Sequence, residues 1–463
     1  MKLQFLYIIS GCLLLASCHL YSSYERSADL SDTNGLYRDT ANAGTVLTVT
    51  DTTNFGNMPW QEVFPEPKLQ ALIAKALSQN SDIKIAEMNV EKMKAGLKIS
   101  KLAYIPSLTF APEGQISSFD FSKASKTYTL PIVANWNFGS WGSLRNTKKQ
   151  AEANLEMTKA SQQATQTAII ANVANMYYTL EMLDEQLKTT NATIVLWKET
   201  VETMEAMKEA AMVNEAAVAQ AKANYYELLA SVPELEKSIQ EVENALCVIL
   251  AEPPHNIDRD QFEPNILDQQ LTAGVPMQLL SNRPDVKIAE YQLASNFYQL
   301  NIARSAFYPS LTLTGTAGWT NNAGMAVINP AKFIANAVGS IVQPLFANGQ
   351  LMANLKISKL SVKEAELNFR QTLLKAGQEV SDALKSYQAA TEMQNLRQQK
   401  VEALAKTTQD TKALFQYSEG TTYLETLTAQ QSLLSGELSL INDKYTRVQA
   451  AIQLYQALGG GRI

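Results

Sequence analysis

The sequence predicts an α+β protein whose body is built twice from one unit, with strands of membrane-crossing length and unusually long helices. Three observations lead to this prediction: an internal repeat, segments that alternate between apolar and polar residues, and long stretches free of proline and glycine. With 463 residues the chain exceeds what one compact core usually needs, which by itself suggests two or three domains. The repeat instead favours one body made of two equivalent halves.

The repeat is visible at two places that share one offset. The peptide SDIKIAE at residues 81–87 returns as PDVKIAE at 284–290, and AYIPSLT at 103–109 returns as AFYPSLT at 306–312. Both pairs are separated by 203 positions, so the intervening segment has the same length in each copy. A period of roughly 200 residues excludes a short-period solenoid.

The N-terminus is typical of a targeting segment. Met1-Lys2 precedes an apolar run that ends in Leu-Ala-Ser-Cys at Cys18, a pattern similar to a lipobox, in which the cysteine becomes the acylated mature N-terminus. A plain cleaved signal is the alternative, and Cys12 is a rival that leaves a shorter apolar core. The predicted organisation is a signal peptide at 1–17, a lipid-anchored tether at 18–67, a first repeat at 68–265 and a second repeat at 266–463.

Each repeat contains two segments in which every second residue is apolar, the period of a strand with one apolar and one polar face. We predict strands near residues 107–121, 126–138, 310–320 and 333–346. Segments of about ten residues match the length of a membrane-crossing strand. An ordinary soluble hairpin in each repeat would give the same alternation, so this alternative stays open.

The rest of each repeat predicts long helices. A helix from Ser143 to about Met207 would be roughly 95 Å long at 1.5 Å per residue. Apolar residues then recur at alternating spacings of three and four from Val218 to Ile249 and again from Leu434 to Tyr455, which indicates coiled-coil packing. Each repeat is therefore expected to run helix, two strands, long helix, turn, long helix.

Four strands cannot close alone in a membrane, because open edges cannot sit in lipid and the smallest barrels have about eight strands. Either the chain lies outside a membrane or several chains share one barrel: two chains would supply eight strands and three would supply twelve. After the N-terminus, no apolar run reaches the roughly 18 residues that a spanning helix needs.

Composition argues against other classes of function. A net charge of −6 disfavours nucleic-acid binding, which calls for basic surfaces. Two histidines and three cysteines provide no metal-ligand cluster, and Cys247 lies on an apolar helical face where a buried, inert thiol is expected. No nucleophile–base constellation suggests an enzyme.

One segment carries a family resemblance. LLSNRPDVKIAEYQLASNFYQLNIARSAFYPSLTLTGTAGW at residues 279–319 resembles the central signature of the outer-membrane factors, the TolC-like efflux proteins, and within them the lipoproteins that serve resistance-nodulation-division pumps. Further matches lie at residues 59–83, 233–254 and 417–434, so the resemblance covers almost all of the chain after the tether.

The resemblance implies a homotrimer in the outer membrane of a Gram-negative bacterium, lipid-anchored and barrel-inserted. Four strands per chain would form a shared twelve-stranded barrel that continues into a long α-helical coiled-coil tunnel through the periplasm. The expected function is the passive exit duct of a tripartite efflux pump, with outer-membrane lipids, a periplasmic adaptor protein and an inner-membrane pump as partners. No cofactor and no nucleic acid are expected. The alternative is a trimeric coiled-coil lipoprotein that acts as an adhesin or spacer and has no open lumen.

The resemblance also places the functional residues at the tips of two helical hairpins. The periplasmic gate is expected at the second tip, with Tyr417, Gly420, Thr421, Thr422, Glu425 and Thr428. Glu425 takes an acidic position of the family's pore, whereas Thr428 stands where aspartate is common, and a solvated helix charge is the alternative for Glu425. The adaptor-contacting tip is expected at Met212, Val213, Asn214 and Glu215. Here Ala211 and Ala217 replace a usual glycine and aspartate.

The sequence Arg283-Pro284-Asp285 suggests a helix start rather than catalysis. Proline suits the first turn of a helix, and a carboxylate there complements the helix dipole. Asp82 is the counterpart of Asp285 in the first copy.

Overall fold

The structure, a computed structural model, describes residues 22–26, 58–118, 120, 123–140, 142–263, 283–322, 327–417 and 422–461. The helices are α1 (Trp60–Val63), α2 (Pro67–Gln79), α3 (Ser81–Leu102), α4 (Ser143–Glu209), α5 (Glu215–Ile249), α6 (Pro284–Ser305), α7 (Gln350–Tyr417) and α8 (Tyr423–Ala457). The strands are β1 (Ser107–Phe110), β2 (Glu113–Ser117), β3 (Ser125–Ser140), β4 (Ser310–Asn322) and β5 (Val327–Val342).

The chain divides into two compact units, and each unit takes stretches from both halves of the sequence. The first unit holds the described parts of Met1–Asp32, Met88–Ala160 and Lys287–Thr372, and the second those of Thr33–Glu87, Ser161–Val286 and Leu373–Ile463. Equivalent elements of the two halves also agree in length: α3 and α6 have 22 residues each, and α5 and α8 have 35 each.

The first unit contains one antiparallel sheet in which β1, β3, β4 and β5 are neighbours in that order and β2 also pairs with β3. The prediction of one continuous strand over 107–121 is wrong. The segment breaks at Ala111-Pro112 into two short strands that both pair with β3. Pro112 has no N–H to donate to the ladder, so pairing stops and then resumes beyond it. Five strands therefore occupy four positions across the sheet.

The other three strands lie where the alternation predicted them, with shifted ends. The strand predicted at 126–138 extends to Ser125–Ser140, and the one at 310–320 extends to Ser310–Asn322. The strand predicted at 333–346 begins earlier and ends earlier, at Val327–Val342. Its start was hidden because Pro330 and Lys332 interrupt the apolar pattern, although Lys332 still pairs with Thr320 across the ladder.

The second unit has a hydrophobic core formed mainly by the helices. Phe64, Leu69 and Ile73 pack with Tyr178 of α4 and Tyr455 of α8 in this core. The helix predicted from Ser143 to about Met207 is observed as α4 and ends at Glu209. Helix α5 continues through Pro233.

The predicted tether at 18–67 includes residues that the structure places in contact with helices. Within the first unit, the Arg26 guanidinium donates to both oxygens of Glu290, at 2.9 and 2.6 Å, and lies 5.6 Å from the centre of the Phe369 ring. Within the second unit, Trp60 and Val63 of α1 are buried in the core. Cys18 and the signal segment lie outside the described residues.

Candidate channel, gate and anchoring residues

The sheet of the first unit has one apolar face. In an antiparallel ladder, directly opposed residues project from the same face. The register aligns Leu130, Trp319 and Phe333 across three strands, and Ile132 with Ala317 and Ala335 in the next such row. Aromatic rings on this face are in contact, with Trp319 and Phe333 centroids 5.6 Å apart. Much of this apolar surface is exposed in the single chain, including Leu108, Phe110, Ile132, Trp319 and Phe333.

The opposite face of the same sheet is polar. Thr129 pairs with Thr320, Asn135 with Thr314 and Asn137 with Thr312. The Thr129 and Thr320 hydroxyls are 3.0 Å apart, and the Thr314 hydroxyl donates to the Asn135 side chain at 3.1 Å. Hydroxyl and amide side chains that bond each other across strands are suited to a wet surface. One side of the sheet is thus suited to water and the other to an apolar medium.

Both edges of this sheet lack a neighbour within the described residues. β5 pairs only with β4, and β1 and β2 pair only with β3. An open strand edge presents unpaired backbone N–H and C=O groups, which need partners when the sheet is placed away from water.

The first hairpin tip closes α4 with a Schellman motif. The Met212 N–H donates to the Met207 carbonyl at 2.8 Å, and the Ala211 N–H donates to the Lys208 carbonyl at 2.9 Å. Ala211 has φ +58°, the left-handed conformation that glycine adopts without strain. Ala211 therefore carries a Cβ atom in a backbone conformation that favours glycine.

The predicted adaptor-contacting residues lie at this same tip. Met212 is 69% exposed. Asn214 caps α5, because its side chain accepts the Ala217 N–H at 3.0 Å. Glu215, in the first turn of α5, pairs with Lys208 in the last turn of α4, and this ion pair lowers the pKa of the Glu215 carboxyl. Met212 is therefore an exposed apolar side chain at the tip, and Asn214 and Glu215 beside it stabilise the turn.

The second hairpin tip is described from Thr422 onwards. Thr422 is the N-cap of α8 and forms a capping box with Glu425: the Glu425 N–H donates to the Thr422 hydroxyl and the Thr422 N–H to the Glu425 carboxylate, both at 3.4 Å. Thr428 donates its hydroxyl to the Leu424 carbonyl at 2.7 Å. Gly420, Thr421 and the side chain of Tyr417 lie outside the described residues.

The structure gives Glu425 a local role that the sequence analysis missed. Its carboxylate satisfies a backbone N–H at the start of α8, so it is more than a solvated helix charge. The signal was available, because Thr-x-x-Glu ahead of an apolar run is the capping-box pattern. Glu425 and Thr422 are both exposed in the chain.

A small apolar cluster joins the two hairpins just behind their tips. Val201, Met204, Val218 and Ala221 of the first hairpin are buried together, with Phe415 and Tyr423 of the second hairpin packed against them. The two tips therefore share one hydrophobic contact, so that displacing one hairpin changes the environment of the other.

Arg283, which the sequence analysis assigned only to a helix start, is an anchoring residue. Its guanidinium is buried and donates to the Asp285 carboxylate, to Glu379 of α7 and to the Ala457 carbonyl at the end of α8. Asp285 does lie in the first turn of α6, as predicted, and Asp82 in that of α3. The Asp285 carboxylate also positions Arg283, which holds the end of α8.

Arg259 lies in the segment that follows α5 and binds this segment to two helices. Arg259 donates to Asp184 of α4 at 2.5 and 2.9 Å and to Glu243 of α5 at 2.5 Å, and these charges raise its pKa.

Cys247 is buried, as predicted, and its sulfur lies 3.4 Å from His255 Nδ1.

The described residues contain neither a membrane-spanning helix nor a metal cluster. None of the helices found there combines the length and apolar character required to cross a membrane. No group of three or more His, Cys, Asp or Glu side chains in the same part of the chain is arranged to hold a metal ion.

A sheet with one apolar and one polar face, in a chain that also forms long helical hairpins, is typical of a channel-type membrane protein. The chain belongs to the outer membrane efflux protein family, whose family model matches residues 72–252 and 275–460. It is an outer-membrane channel component of an efflux system. The family consists of transport channels rather than enzymes, and such channels work with adaptor and inner-membrane pump proteins.

Similar curated proteins span nearly the whole chain. The cation efflux system protein CusC of Escherichia coli is 26% identical over 463 residues, covering 97% of each chain. The toluene efflux pump outer membrane protein TtgI of Pseudomonas putida is 28% identical over 415 residues, covering 87% of each chain. The probable outer membrane lipoprotein SilC of Salmonella typhimurium is 25% identical over 410 residues, covering 87% of this chain and 88% of SilC.

Solved structures agree on the fold. A crystal structure of CusC superposes with a TM-score of 0.85 at 25% identity and covers 96% of this chain and 100% of that one. The open state of the Neisseria gonorrhoeae MtrE outer membrane channel superposes with a TM-score of 0.81 at 23% identity, covering 89% of this chain and 94% of that one.

Proposed function

We propose that three copies of the chain assemble into one channel, with a shared twelve-stranded barrel in the outer membrane and a helical tunnel below it. The observation that carries this proposal is the sheet of the first unit, which has an apolar face, a polar face and two edges without a neighbouring strand among the described residues. A neighbouring copy would pair β5 of one chain with β1 and β2 of the next, and closure would satisfy every edge. With four strand positions per chain, three chains give twelve positions.

The apolar and polar faces of the sheet fit the outside and the inside of the proposed barrel. The apolar rows that contain Leu130, Trp319 and Phe333 would contact lipid, and the threonine and asparagine side chains of the other face would line a wet lumen. A soluble hairpin, the alternative left open by the alternation alone, would leave this apolar face uncovered.

Exposed apolar residues on the helices also support association between copies. Ile357, Leu360 and Leu367 of α7 are more than half exposed in the single chain and recur at near-heptad spacing. Ile99 of α3 is likewise 70% exposed. Apolar helix stripes of this kind associate in coiled coils, so adjoining helices of a neighbouring copy would bury them.

For the gate, we place Glu425 and Thr422 at the periplasmic aperture, with Thr428 one turn further along α8. Three copies of Glu425 around one axis would form a ring of carboxylates, which favours cations in a narrow pore. In this position the same carboxylate caps α8 and faces the other two copies. Gly420, Thr421 and Tyr417 would form the turn that holds the ring closed.

For the partners, we assign contact with the periplasmic adaptor to the first tip, Met212, Val213, Asn214 and Glu215. Exposed Met212 is a flexible apolar side chain suited to packing against another helix. The pump would be of the resistance-nodulation-division type, and acylated Cys18 would anchor the chain in the outer membrane. Because relatives of comparable identity are named for cations and for toluene, we assign compound selectivity to the partner pump and a passive role to this duct.

Edge-to-edge pairing can be tested by cross-linking two engineered cysteines. Leu108 on β1 and Ile341 on β5 are both exposed. Within one chain three strand spacings, about 14 Å at 4.8 Å per strand, separate β1 from β5, and Ile341 lies four residues further along β5 than Ala337, which is level with Leu108. In the double variant Leu108→Cys/Ile341→Cys, a bismaleimide with a reach of about 8 Å should link only neighbouring chains and should stop at three. Each single variant is the matched control. Monomers alone, or a ladder that continues past three chains, would refute the trimer.

Planar-bilayer recording then separates a duct from an adhesin or spacer. Purified trimers are expected to conduct ions. A trimer that cross-links as described but stays electrically silent, also after the second tip has been loosened by Thr422→Val, would favour the spacer.

A further inference from the structure

The second unit contains a buried carboxylate that the channel function does not use. Glu181 of α4 is 1% exposed, and among the described residues neither of its carboxylate oxygens has a partner at full hydrogen-bond geometry, although the Tyr177 hydroxyl lies near enough to lower its pKa. An ionised carboxylate that is buried without a partner is strongly unfavourable, so such a group either keeps its proton or disrupts what surrounds it.

The groups that face Glu181 are mostly acidic or phenolic. Glu66, just before α2, accepts the Tyr178 hydroxyl at 3.1 Å with one oxygen, and its other oxygen has no partner among the described residues. Asp260, in the segment after α5, and Asp184, one turn along α4, add further negative charge.

The cations of this region are already paired with other acids. Arg259 bonds Asp184 and Glu243, and Lys68 bonds Asp258 and Asp260 at 3.0 and 2.8 Å. In the part of the chain that the structure describes, no cation reaches Glu181. Burial, followed by the charges of Glu66, Asp260 and Asp184, raises the pKa of Glu181 to about 8, and the Tyr177 hydroxyl works in the opposite direction.

Residues near Glu181 and on α5 also hold the segment of residues 257–260, which follows α5. We call this segment the connecting strap. The Ile257 N–H donates to Glu243 at 3.2 Å, and the Asp260 N–H donates to the Tyr177 hydroxyl at 3.1 Å. Tyr177 lies one helical turn before Glu181. A new charge on Glu181 would repel Asp260, whereas the Tyr177 hydroxyl can accept the Asp260 N–H and still donate its own hydrogen to Glu181.

We propose that Glu181 is a proton-controlled latch: its neutral form lets the connecting strap pack against α2 and α4, and its ionised form loosens the strap. Two effects of ionisation act together. Negative charge beside Glu66 and Asp260 pushes the strap away, and water enters to solvate the new carboxylate. The proton is exchanged with solvent and no other group changes its covalent state. The latch gives the junction between the two repeats a response to mildly alkaline pH.

Amide hydrogen exchange of the assembled, detergent-solubilised protein tests this latch. The readout is the protection factor of the Ile257 and Asp260 amides, which corrects for the intrinsic pH dependence of exchange. In the wild type, protection is expected to fall about tenfold or more between pH 6.5 and 9, with a midpoint near 8. Glu181→Gln should remove this dependence. Glu202→Gln, which changes an exposed carboxylate on the same helix, should keep it.

A second variant tests the assigned cause. Asp260→Asn removes the neighbouring charge and leaves Lys68 its partner Asp258, so the midpoint should move to lower pH, where Glu181 ionises more easily. Wild-type infrared spectra provide a measurement that needs no variant: a protonated-carboxyl absorption should be present at pH 7 and lost by pH 9. The latch is refuted if wild-type protection does not change with pH, if Glu181→Gln responds like the wild type, or if no protonated carboxyl absorbs at pH 7.

Discussion

Replacement of Gly318 by alanine tests whether the close approach of β3 and β4 is needed for assembly. Gly318 lies opposite Pro131 in the ladder. A Cβ atom built on Gly318 would lie 2.7 Å from the Pro131 Cα and 2.9 Å from the Leu130 carbonyl carbon, and it would meet the Leu130 carbonyl oxygen more closely still. All three are backbone atoms of the paired strand, so no side-chain rotation can relieve the overlap.

The size of the effect follows from this geometry. Inserting one methyl group into a packed site costs typically about 1–3 kcal/mol, and a rigid backbone neighbour places Gly318→Ala at the upper end of that range. About 3 kcal/mol corresponds to roughly a hundredfold change in an equilibrium constant. In the proposed trimer the same overlap occurs in each of three chains.

The assay is the fraction of assembled trimer and its dissociation temperature in detergent, and the chain offers a matched control. Gly315 lies on the same strand, β4, and a Cβ atom there would lie 3.9 Å from the Ala134 Cβ, an ordinary van der Waals contact. Gly315→Ala should therefore assemble like the wild type, whereas Gly318→Ala should give less trimer with a lower dissociation temperature. Equal behaviour of the two variants would refute the claim that β3 and β4 require a glycine at this point.

Four further outcomes are expected. Ala211→Gly should stabilise the first tip by about 1 kcal/mol, seen as slower local hydrogen exchange, because glycine relieves the left-handed strain; faster exchange would contradict this. Thr422→Val should remove the cap of α8, cost about 1 kcal/mol locally and raise single-channel conductance. Glu425→Gln should weaken cation preference in salt gradients without abolishing the pore, and an unchanged reversal potential would place the gate elsewhere. Glu181→Gln should match wild-type thermal stability near pH 4.5 and exceed it increasingly up to about pH 8, because the folded wild type retains a proton that its unfolded form releases. At about 1.4 kcal/mol per pKa unit, the difference in the free energy of unfolding is on the order of 4 kcal/mol at pH 8. A difference that does not grow with pH would contradict this.

The sequence by itself determined the strands and helices that leave a regular residue pattern along the chain. Alternation with a period of two located β3 and β4 to within about two residues, and the absence of proline and glycine located α4 from Ser143 almost to its observed end at Glu209. These signals are local: a strand must alternate if its two faces meet different media, and a helix continues until a residue stops it. The capping box of Thr422 and Glu425 was also local and could have been read from the sequence.

The tertiary structure decided what depends on partners distant in the chain. Only the fold shows that β1 and β2 share one position beside β3, because it shows both short strands, on either side of Pro112, pairing with that same strand. Arg283 could not be recognised from its neighbours, since its partner at Ala457 lies 174 residues away. Glu181 is one acidic residue among many along a helix, and its protonation is set by burial and by Glu66 and Asp260, which the sequence does not place beside it. Charge and hydrogen-bond environments are properties of three-dimensional neighbours, and for that reason the anchoring residues and the latch required the structure.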